Sequence, residues 1–444
     1  MNWLALGHIV ADPARAALRD FVRAEAARNP YPPFVNDNRT DNFTFAAASP
    51  LNPRTLQEAV RALGQLRDTN ALLLLRELLS KNLEPRTGNL FLAEAVIESL
   101  GRIGSPDAET TLIDTFAALK DYWHYVGWYS DHPALYACHS SPIHARIIAA
   151  LDAIGSTRAG TIVPQLIRSV PTDPDRGLFL QNDDYETLVG RLLRRSGRGN
   201  EVVETCLALL ADPLAKPAQD IKLALSTTHP AWGGHPGPEN RSAQILSLAC
   251  RDTAAEPRVR AAFARFRAMP EEPISRTLGN PTWTPIRHWT LFYLARALGN
   301  LHDRTSVDTL VAVLSDDLNE ARHGRPDPSQ PEIHLLHLDY TPCWRAAAAW
   351  ALGEIGDRRA RAALLGAVRN LDNATDVRHA AATALGKVAV ESDLSELSKL
   401  AADYPEVSVR KVLQSACARI GGTKDGEATV SITSVNEEVR TAAR

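Results

Sequence analysis

Residues 346–360 read Ala-Ala-Ala-Ala-Trp-Ala-Leu-Gly-Glu-Ile-Gly-Asp-Arg-Arg-Ala. Apolar residues recur here at helical spacing, and the small alanines leave room for a second helix to approach closely. Gly353 and Gly356 predict the end of this helix and the turn that follows it. Asp357 comes next and is a typical N-cap residue for a second helix. The stretch therefore predicts a hairpin of two helices.

The same pattern returns along the chain, and its last copies are 33 and 32 residues apart. The stretch at Ser105 and Pro106 repeats the capping signal, because proline is favoured at the first position of a helix. A single hairpin of this kind cannot bury its apolar face alone, so stacked neighbours must bury it. The other copies begin at Ala62, Ser99, Ala150, Ala297 and Ala384, with weaker ones at Arg191 and Ala416.

Residues 346–360 closely resemble the HEAT-like repeats named after phycobilisome (bilin) lyases, and the resemblance extends over about 55–212 and 290–421. It implies an all-α fold: one continuous right-handed α-solenoid of about 8–10 HEAT-like helix pairs, with long loop insertions on one edge. HEAT-like arrays serve as scaffolds, adaptors, lyases, hydroxylases and DNA-repair proteins. The resemblance is therefore specific for the fold and leaves the function open.

Three regions are expected along the chain. Residues 1–54 hold an N-terminal capping helix, at 13–28, and a long loop rich in proline and asparagine. Residues 55–421 form the solenoid, with a divergent centre at about 213–290 where the pattern fades. Residues 422–444 are polar and are expected to form a flexible tail.

The bulk composition describes an ordinary globular protein of 444 residues with a formal net charge of −3. Arginine supplies 41 of the 49 basic residues. Such an excess is typical of proteins from GC-rich genomes, so it is weak evidence for phosphate binding. The five cysteines lack the spacing of a disulfide framework or a zinc site. Neither a signal peptide nor an apolar run of membrane-spanning length is recognisable. A cytoplasmic protein without a membrane span is therefore expected.

Four insertions interrupt the regular repeats, at about 120–144, 226–240, 279–289 and 318–344. They make up less than a fifth of the chain, yet they contain ten of the 13 histidines and six of the eight tryptophans. Equivalent loops of a solenoid project from the same edge, so the four insertions can form one shared binding surface. The alternative is that each insertion packs on its own repeat, with tryptophan as filler.

The predicted surface would hold a partner protein or a small-molecule ligand, and its densest segment is 121–132. The leading hypothesis for function is therefore a binding or scaffold protein. The candidate binding residues are Trp123, His124, Tyr125, Trp128, His139, Trp232, His235, Trp283, His288, Trp289, His334, His337 and Trp344.

A second hypothesis is a small-molecule enzyme of the bilin-lyase kind, or another lyase or isomerase, with its site under these loops. Its general acid or base would come from His124, His288 or His337. A nucleophilic pair of Cys138 with His139 or His144 is disfavoured, because adjacent residues rarely face each other and a lone cysteine is usually a small buried hydrophobe.

His334 and His337 are three residues apart and would share a helix face near Asp339, which makes these three residues a weak candidate metal site. They match no established metal motif, so no metal and no cofactor are predicted.

Nucleic-acid binding is a third and weaker hypothesis. Arginines cluster twice, but interspersed acidic residues and the net charge of −3 argue against a basic groove. The chain also lacks a phosphate-binding P-loop, an H-E-x-x-H zinc motif and a G-x-S-x-G nucleophile elbow. The two clusters are Arg191, Arg194, Arg195 and Arg198, and Arg258, Arg260, Arg265 and Arg267.

Overall fold

The computed structural model describes residues 12–28, 54–83, 89–119, 133–170, 183–226, 238–269, 286–315 and 344–422. These residues form nineteen α-helices with short 3-10 turns between some of them, and no strand occurs within these ranges. The prediction of an all-α fold is confirmed, and nineteen helices agree with the expected eight to ten pairs.

The described part of the chain divides into two compact units. Unit 1 is Met1–Thr205 with Lys216–Trp232, and unit 2 is Cys206–Ala215 with Gly233–Arg444. The array that the sequence predicts as one continuous solenoid thus falls into two units, and the division lies near the start of the region where the repeat pattern fades.

Ten helices lie before residue 227. They are α1 (Asp12–Arg28), α2 (Arg54–Gln65), α3 (Leu72–Asn82), α4 (Leu90–Ile103), α5 (Pro106–Ala118), α6 (Pro133–Ile154), α7 (Val163–Ser169), α8 (Asp183–Arg195), α9 (Gly199–Ala211) and α10 (Gln219–Ser226). The division between the units passes through α9.

Nine further helices belong to unit 2. They are α11 (Pro238–Ala249), α12 (Glu256–Ala268), α13 (Ile286–Asn300), α14 (Val307–Leu314), α15 (Trp344–Ile355), α16 (Arg361–Arg369), α17 (Thr375–Val388), α18 (Leu394–Asp403) and α19 (Val407–Ile420).

Alternate helices form a continuous layer in each unit, and we call them the A helices. In unit 1, α2, α4, α6 and α8 pack in that order, while in unit 2 the order is α11, α13, α15, α17 and α19. In unit 2 the intervening helices, α12, α14, α16 and α18, each pack on the A helix that follows. This stacking of neighbours is the arrangement of an α-solenoid.

The glycine of the repeated Leu-Gly pair sets the distance between A helices. A Cβ atom added to Gly353 would lie 2.8 Å from the Cα atom of Ala384 on the next A helix. Gly353 lies inside α15, so its predicted place at the helix end is wrong. The turn requires only Gly356, which has a left-handed φ of 70°.

The predicted helix caps are present. Asp357 accepts a hydrogen bond from the backbone N–H of Arg359 at 2.9 Å, and Ser105 accepts one from that of Ala108 at 3.2 Å. Asp357 caps a 3-10 turn that leads directly into α16. The polar break between paired helices thus satisfies backbone donors at the start of the second helix.

Ion pairs to buried aspartates join successive repeats. In unit 2, Arg260 on α12 donates a 2.6 Å hydrogen bond to Asp303, which precedes α14. Arg361 on α16 lies 2.5 Å from Asp393, which precedes α18. In unit 1, Arg19 on α1 pairs with Asp68. The aspartates are at most 4 % exposed, so the polar breaks are part of the core.

Each of the four insertions leads into an A helix. The helices begin before the insertions end, however: α6 starts at Pro133, α11 at Pro238, α13 at Ile286 and α15 at Trp344. Three insertions of the second half of the chain therefore precede consecutive A helices of unit 2.

The described residues include only part of the regions predicted at the two ends of the chain. The helix expected at 13–28 is confirmed as α1, which packs on α2. The expected loop at 29–54, apart from Arg54, and the tail at 422–444, apart from Gly422, lie outside the described residues. None of the helices described is long and apolar enough to span a membrane.

Candidate functional site

Most of the predicted binding residues lie outside the described ranges. His139 and His288 lie on α6 and α13, but the structure describes only their backbone. The predicted residues that lie wholly outside the described ranges are Trp123, His124, Tyr125, Trp128, Trp232, His235, Trp283, His334 and His337, together with Asp339 of the weak metal candidate.

The remaining two predicted residues, Trp289 and Trp344, are helical and not loop residues. Trp344 starts α15 and is only 7 % exposed, so it belongs to the core. Trp289 lies in the first turn of α13 and is partly exposed. Of the predicted set, Trp289 is therefore the member that the structure places on a surface.

On α13, α15 and α17 of unit 2, a narrow stripe along most of the helix reaches solvent, because the other faces are covered. On α15 the stripe is Ala346, Trp350 and Glu354, at a spacing of four residues. On α17, His379, Thr383 and Lys387 take the same positions. On α13 the stripe is aromatic and basic, and its residues are Trp289, Phe292, Arg296 and Asn300.

Aromatic rings cluster at the start of the α13 stripe. The ring of Trp289 stacks on that of Tyr293, with centroids 6.0 Å apart and planes 22° apart. Phe292 meets both rings edge to face, at 6.1 Å from Trp289 and 5.3 Å from Tyr293. Tyr293 is 1 % exposed, so a buried ring supports two partly exposed ones in preferred aromatic geometries.

Arg296 connects this cluster to the neighbouring A helix. Its guanidinium carbon lies 5.9 Å from the ring centroid of Phe292 and 5.6 Å from that of Trp350 on α15, within the range of cation–π attraction. Gly299 makes this possible, because a Cβ atom there would lie 2.9 Å from the ring of Trp350. We call Trp289, Phe292, Arg296 and Trp350 the aromatic–arginine face.

Arg296 has no acidic partner among the described residues. The nearest acid along the α15 stripe, Glu354, pairs with Lys387 of α17. Burial lowers the pKa of His379, although Asp376 opposes the shift, so the imidazole is neutral near pH 7. The face therefore combines three partly exposed aromatic rings with one uncompensated positive charge.

The sequence prediction missed Phe292, Arg296 and Trp350. A usable signal existed for the first two, because Trp289, Phe292 and Arg296 have the i, i+3, i+7 spacing of one helix face. Trp350 lies within the alanine-rich stretch that identifies the repeat, so no local pattern marks it as a surface residue.

Arginines of both clusters weighed for nucleic-acid binding form ion pairs or hydrogen bonds within the chain. Arg191 and Arg195 pair with Asp152, and Arg198 pairs with Asp220 and Glu201. In unit 2, Arg260 pairs with Asp303, while Arg265 donates to the carbonyl oxygen of Ala211 at 3.0 Å. Guanidinium groups that are already paired contribute little to the binding of phosphates.

His144, which was weighed as a partner of Cys138 in a nucleophilic pair, is a packed core residue. It is 2 % exposed and meets Phe116 edge to face at 5.4 Å. Burial raises the pKa of the Cys206 thiol, which keeps it protonated and unreactive. Among the described side chains, no three histidines, cysteines or acids are grouped to hold a metal ion.

Helix α11 carries an unusual buried polar set. Asn240, Arg241, Ser242, Gln244 and Ser247 are each at most 2 % exposed. Within the described part of the chain, the amide nitrogen of Asn240 and the hydroxyl of Ser242 have no hydrogen-bond partner, whereas the hydroxyl of Ser247 donates to the carbonyl oxygen of Gln244 at 2.7 Å. Asn240 and Ser242 are two positions apart and point to different sides of the helix, so they do not form one site.

The unpaired hydroxyl of Ser242 and the bonded hydroxyl of Ser247 predict different effects of two matched substitutions. Ser242→Ala should raise the free energy of unfolding by about 1 kcal/mol, because it removes a buried hydroxyl without a partner. Ser247→Ala should leave it unchanged or lower it slightly, because that hydroxyl is bonded. Urea unfolding followed by circular dichroism measures both. A loss of stability in Ser242→Ala would show that the hydroxyl has a partner in solution.

The stacked A helices and the solvent-facing stripe define a repeat scaffold. Sequence comparison gives the family. The model for phycobilisome-lyase HEAT-like repeats matches residues 56–81 and 291–316, and the model for HEAT repeats matches 333–418. The chain contains HEAT-like repeats, with matched segments in both units. No curated protein matches it.

Proposed function

We propose that the chain is a binding scaffold and that unit 2 holds a partner protein on the aromatic–arginine face. The observation that carries the proposal is the joining of Trp289, Phe292, Arg296 and Trp350 into one partly exposed cluster across two A helices. Tryptophan, tyrosine and arginine are the residue types that dominate the binding energy of protein interfaces.

The architecture supports the proposal. Successive A helices of a solenoid present aligned stripes, which suit an extended partner segment. The insertions at 226–240, 279–289 and 318–344 precede the three A helices at and beside the face. The tryptophans and histidines of these insertions remain predicted partner-binding residues.

The enzyme hypothesis lacks a comparable observation. The side chains of its candidate acids and bases, His124, His288 and His337, lie outside the described set. Of the three described cysteines, Cys206 and Cys250 are buried and Cys417 is partly exposed, and burial keeps the Cys206 thiol protonated. Nucleic-acid binding is weakened by the paired arginines of α8 and α12.

Substitution of Trp350 tests the proposal. Trp350→Ala should reduce partner binding at least about tenfold, because it removes an aromatic anchor and releases Arg296. The measurement is quantitative mass spectrometry of proteins that copurify with the full chain from its own host, for the wild type and the variant.

Phe91→Ala is the matched control, because Phe91 is a partly exposed aromatic residue on an A helix of unit 1. It should leave the copurified set unchanged. Thermal melts should confirm that both variants fold. Identical partners in equal amount for the wild type, Trp350→Ala and Phe91→Ala would remove the basis of the proposal.

A further inference from the structure

We infer that the partner segment presents a carboxylate to Arg296, next to an apolar or aromatic side chain that lies against the rings of Phe292 and Trp350. The inference rests on the proposed function and specifies the chemistry of the partner. It follows from the contacts of Arg296, from the charges around it, and from the neighbouring rings.

The guanidinium of Arg296 is held in place but keeps its hydrogen-bonding capacity. Its contacts within the described residues are the two rings, at 5.9 Å and 5.6 Å. Neither contact uses an N–H group as a donor to nitrogen or oxygen. A guanidinium has five N–H donors in a planar fork that matches a carboxylate. The rings therefore orient a group whose donors are available to a ligand.

Among the described residues, the charges on the surrounding stripes leave one positive charge without a partner, so the matching ligand group carries a single negative charge. Lys387 and Glu354 neutralise each other, and burial keeps His379 neutral. The arginines at the starts of α15 and α17 are turned inward: Arg345 donates to the carbonyl oxygen of Leu314 at 2.7 Å, and Arg378 pairs with Glu406. Arg296 is thus the single uncompensated cation of the described stripe residues.

A carboxylate fits this site better than a phosphate does. Sites for phosphorylated peptides gather several arginines around a group that carries nearly two negative charges. Here one arginine acts alone, and Glu354 is close along the same face. A single carboxylate can form a bidentate pair with one guanidinium.

The rings determine the second part of the motif. Partly exposed aromatic faces gain free energy when they cover another apolar side chain. The contact also removes water from around Arg296, which strengthens its pairing with a carboxylate. A segment with aspartate or glutamate beside a bulky apolar residue would satisfy both the charge and the rings.

A peptide array tests the inference. The probes are immobilised 12-residue peptides that combine aspartate or glutamate with a neighbouring tryptophan, phenylalanine or leucine, together with partners in which asparagine or glutamine replaces the acid. Phosphoserine versions complete the set. The full chain is tested as wild type, Arg296→Ala, Arg296→Lys and Trp350→Ala. Arg358→Ala is the control, because Arg358 is an exposed arginine of the same unit.

The acidic peptides should bind the wild type and Arg358→Ala equally. Binding should fall about tenfold when the acid becomes an amide or when Arg296 becomes alanine. Arg296→Lys should also weaken binding, since lysine keeps the charge but lacks the planar fork. Trp350→Ala should weaken binding of every peptide.

Two results would overturn the inference. Peptides that require Trp350 but show no preference for acid over amide, and no response to Arg296→Ala, would leave the binding face in place and refute the carboxylate. A preference for phosphoserine would do the same. If Trp350→Ala changes the binding of no peptide, the proposed function fails together with the inference.

Discussion

Asp303→Ala should lower the free energy of unfolding by about 3 kcal/mol, because three interactions of one buried carboxylate are lost together. Asp303 is 1 % exposed. It accepts hydrogen bonds from the backbone N–H of Thr305 at 3.0 Å, from the hydroxyl of Ser306, and from Arg260 at 2.6 Å. Urea unfolding of the full chain, followed by circular dichroism, measures the loss.

The equivalent aspartate of the next repeat supplies the control. Asp357 also caps a turn, but its ion pair is with Arg359 on the same exposed turn, so Asp357→Ala should cost less. Asp303→Asn should fall between wild type and Asp303→Ala, because the amide oxygen keeps the cap and loses the ion pair. Equal losses for Asp303→Ala and Asp357→Ala would contradict the role given to the buried pair.

Gly353→Val should lower the free energy of unfolding by a similar amount, about 3 kcal/mol. A Cβ atom at this position would lie 2.8 Å from both the Cα and the Cβ atom of Ala384. Because one of these atoms belongs to the backbone of α17, the clash can be relieved only by separating two A helices. The same urea experiment measures the effect.

Gly366→Ala provides the opposite case. Gly366 lies inside α16, and a Cβ atom there would have no neighbour within 4 Å. Alanine should therefore stabilise the chain by about 0.5–1 kcal/mol through helix propensity alone. If Gly353→Val were as stable as wild type, the close approach of the A helices would not depend on glycine.

The fold could be predicted because its determinants are local and repeated. Small residues such as those at 346–349, the Leu-Gly pair and a capping residue such as Asp357 recur in several of the helix pairs. A stack of identical units needs only contacts between neighbours. The interpretation of Gly353 as a turn residue was wrong, because the sequence pattern is the same for a glycine that ends a helix and for one that allows close contact between helices. Only the position of Ala384 distinguishes the two roles.

Part of the proposed aromatic–arginine face could be predicted from the sequence. Each insertion leads into an A helix, and Trp289 was named as a candidate because it ends one of the insertions. Trp344 was assigned to the same surface but is buried. The prediction failed because enrichment in tryptophan carries no information on which side of a helix reaches solvent. Phe292, Arg296 and Trp350 were missed because their association crosses from α13 to α15.

The amino-acid sequence by itself determined the helices, their caps, the repeat and the positions of the insertions, because each depends on residues close together in the chain. The tertiary structure decided which arginines are paired and which side chains share a surface. Arg260 meets Asp303, and Arg296 meets Trp350, across 43 and 54 positions of sequence. Contacts at such separations depend on how A helices align, and that alignment follows from packing at glycine and alanine.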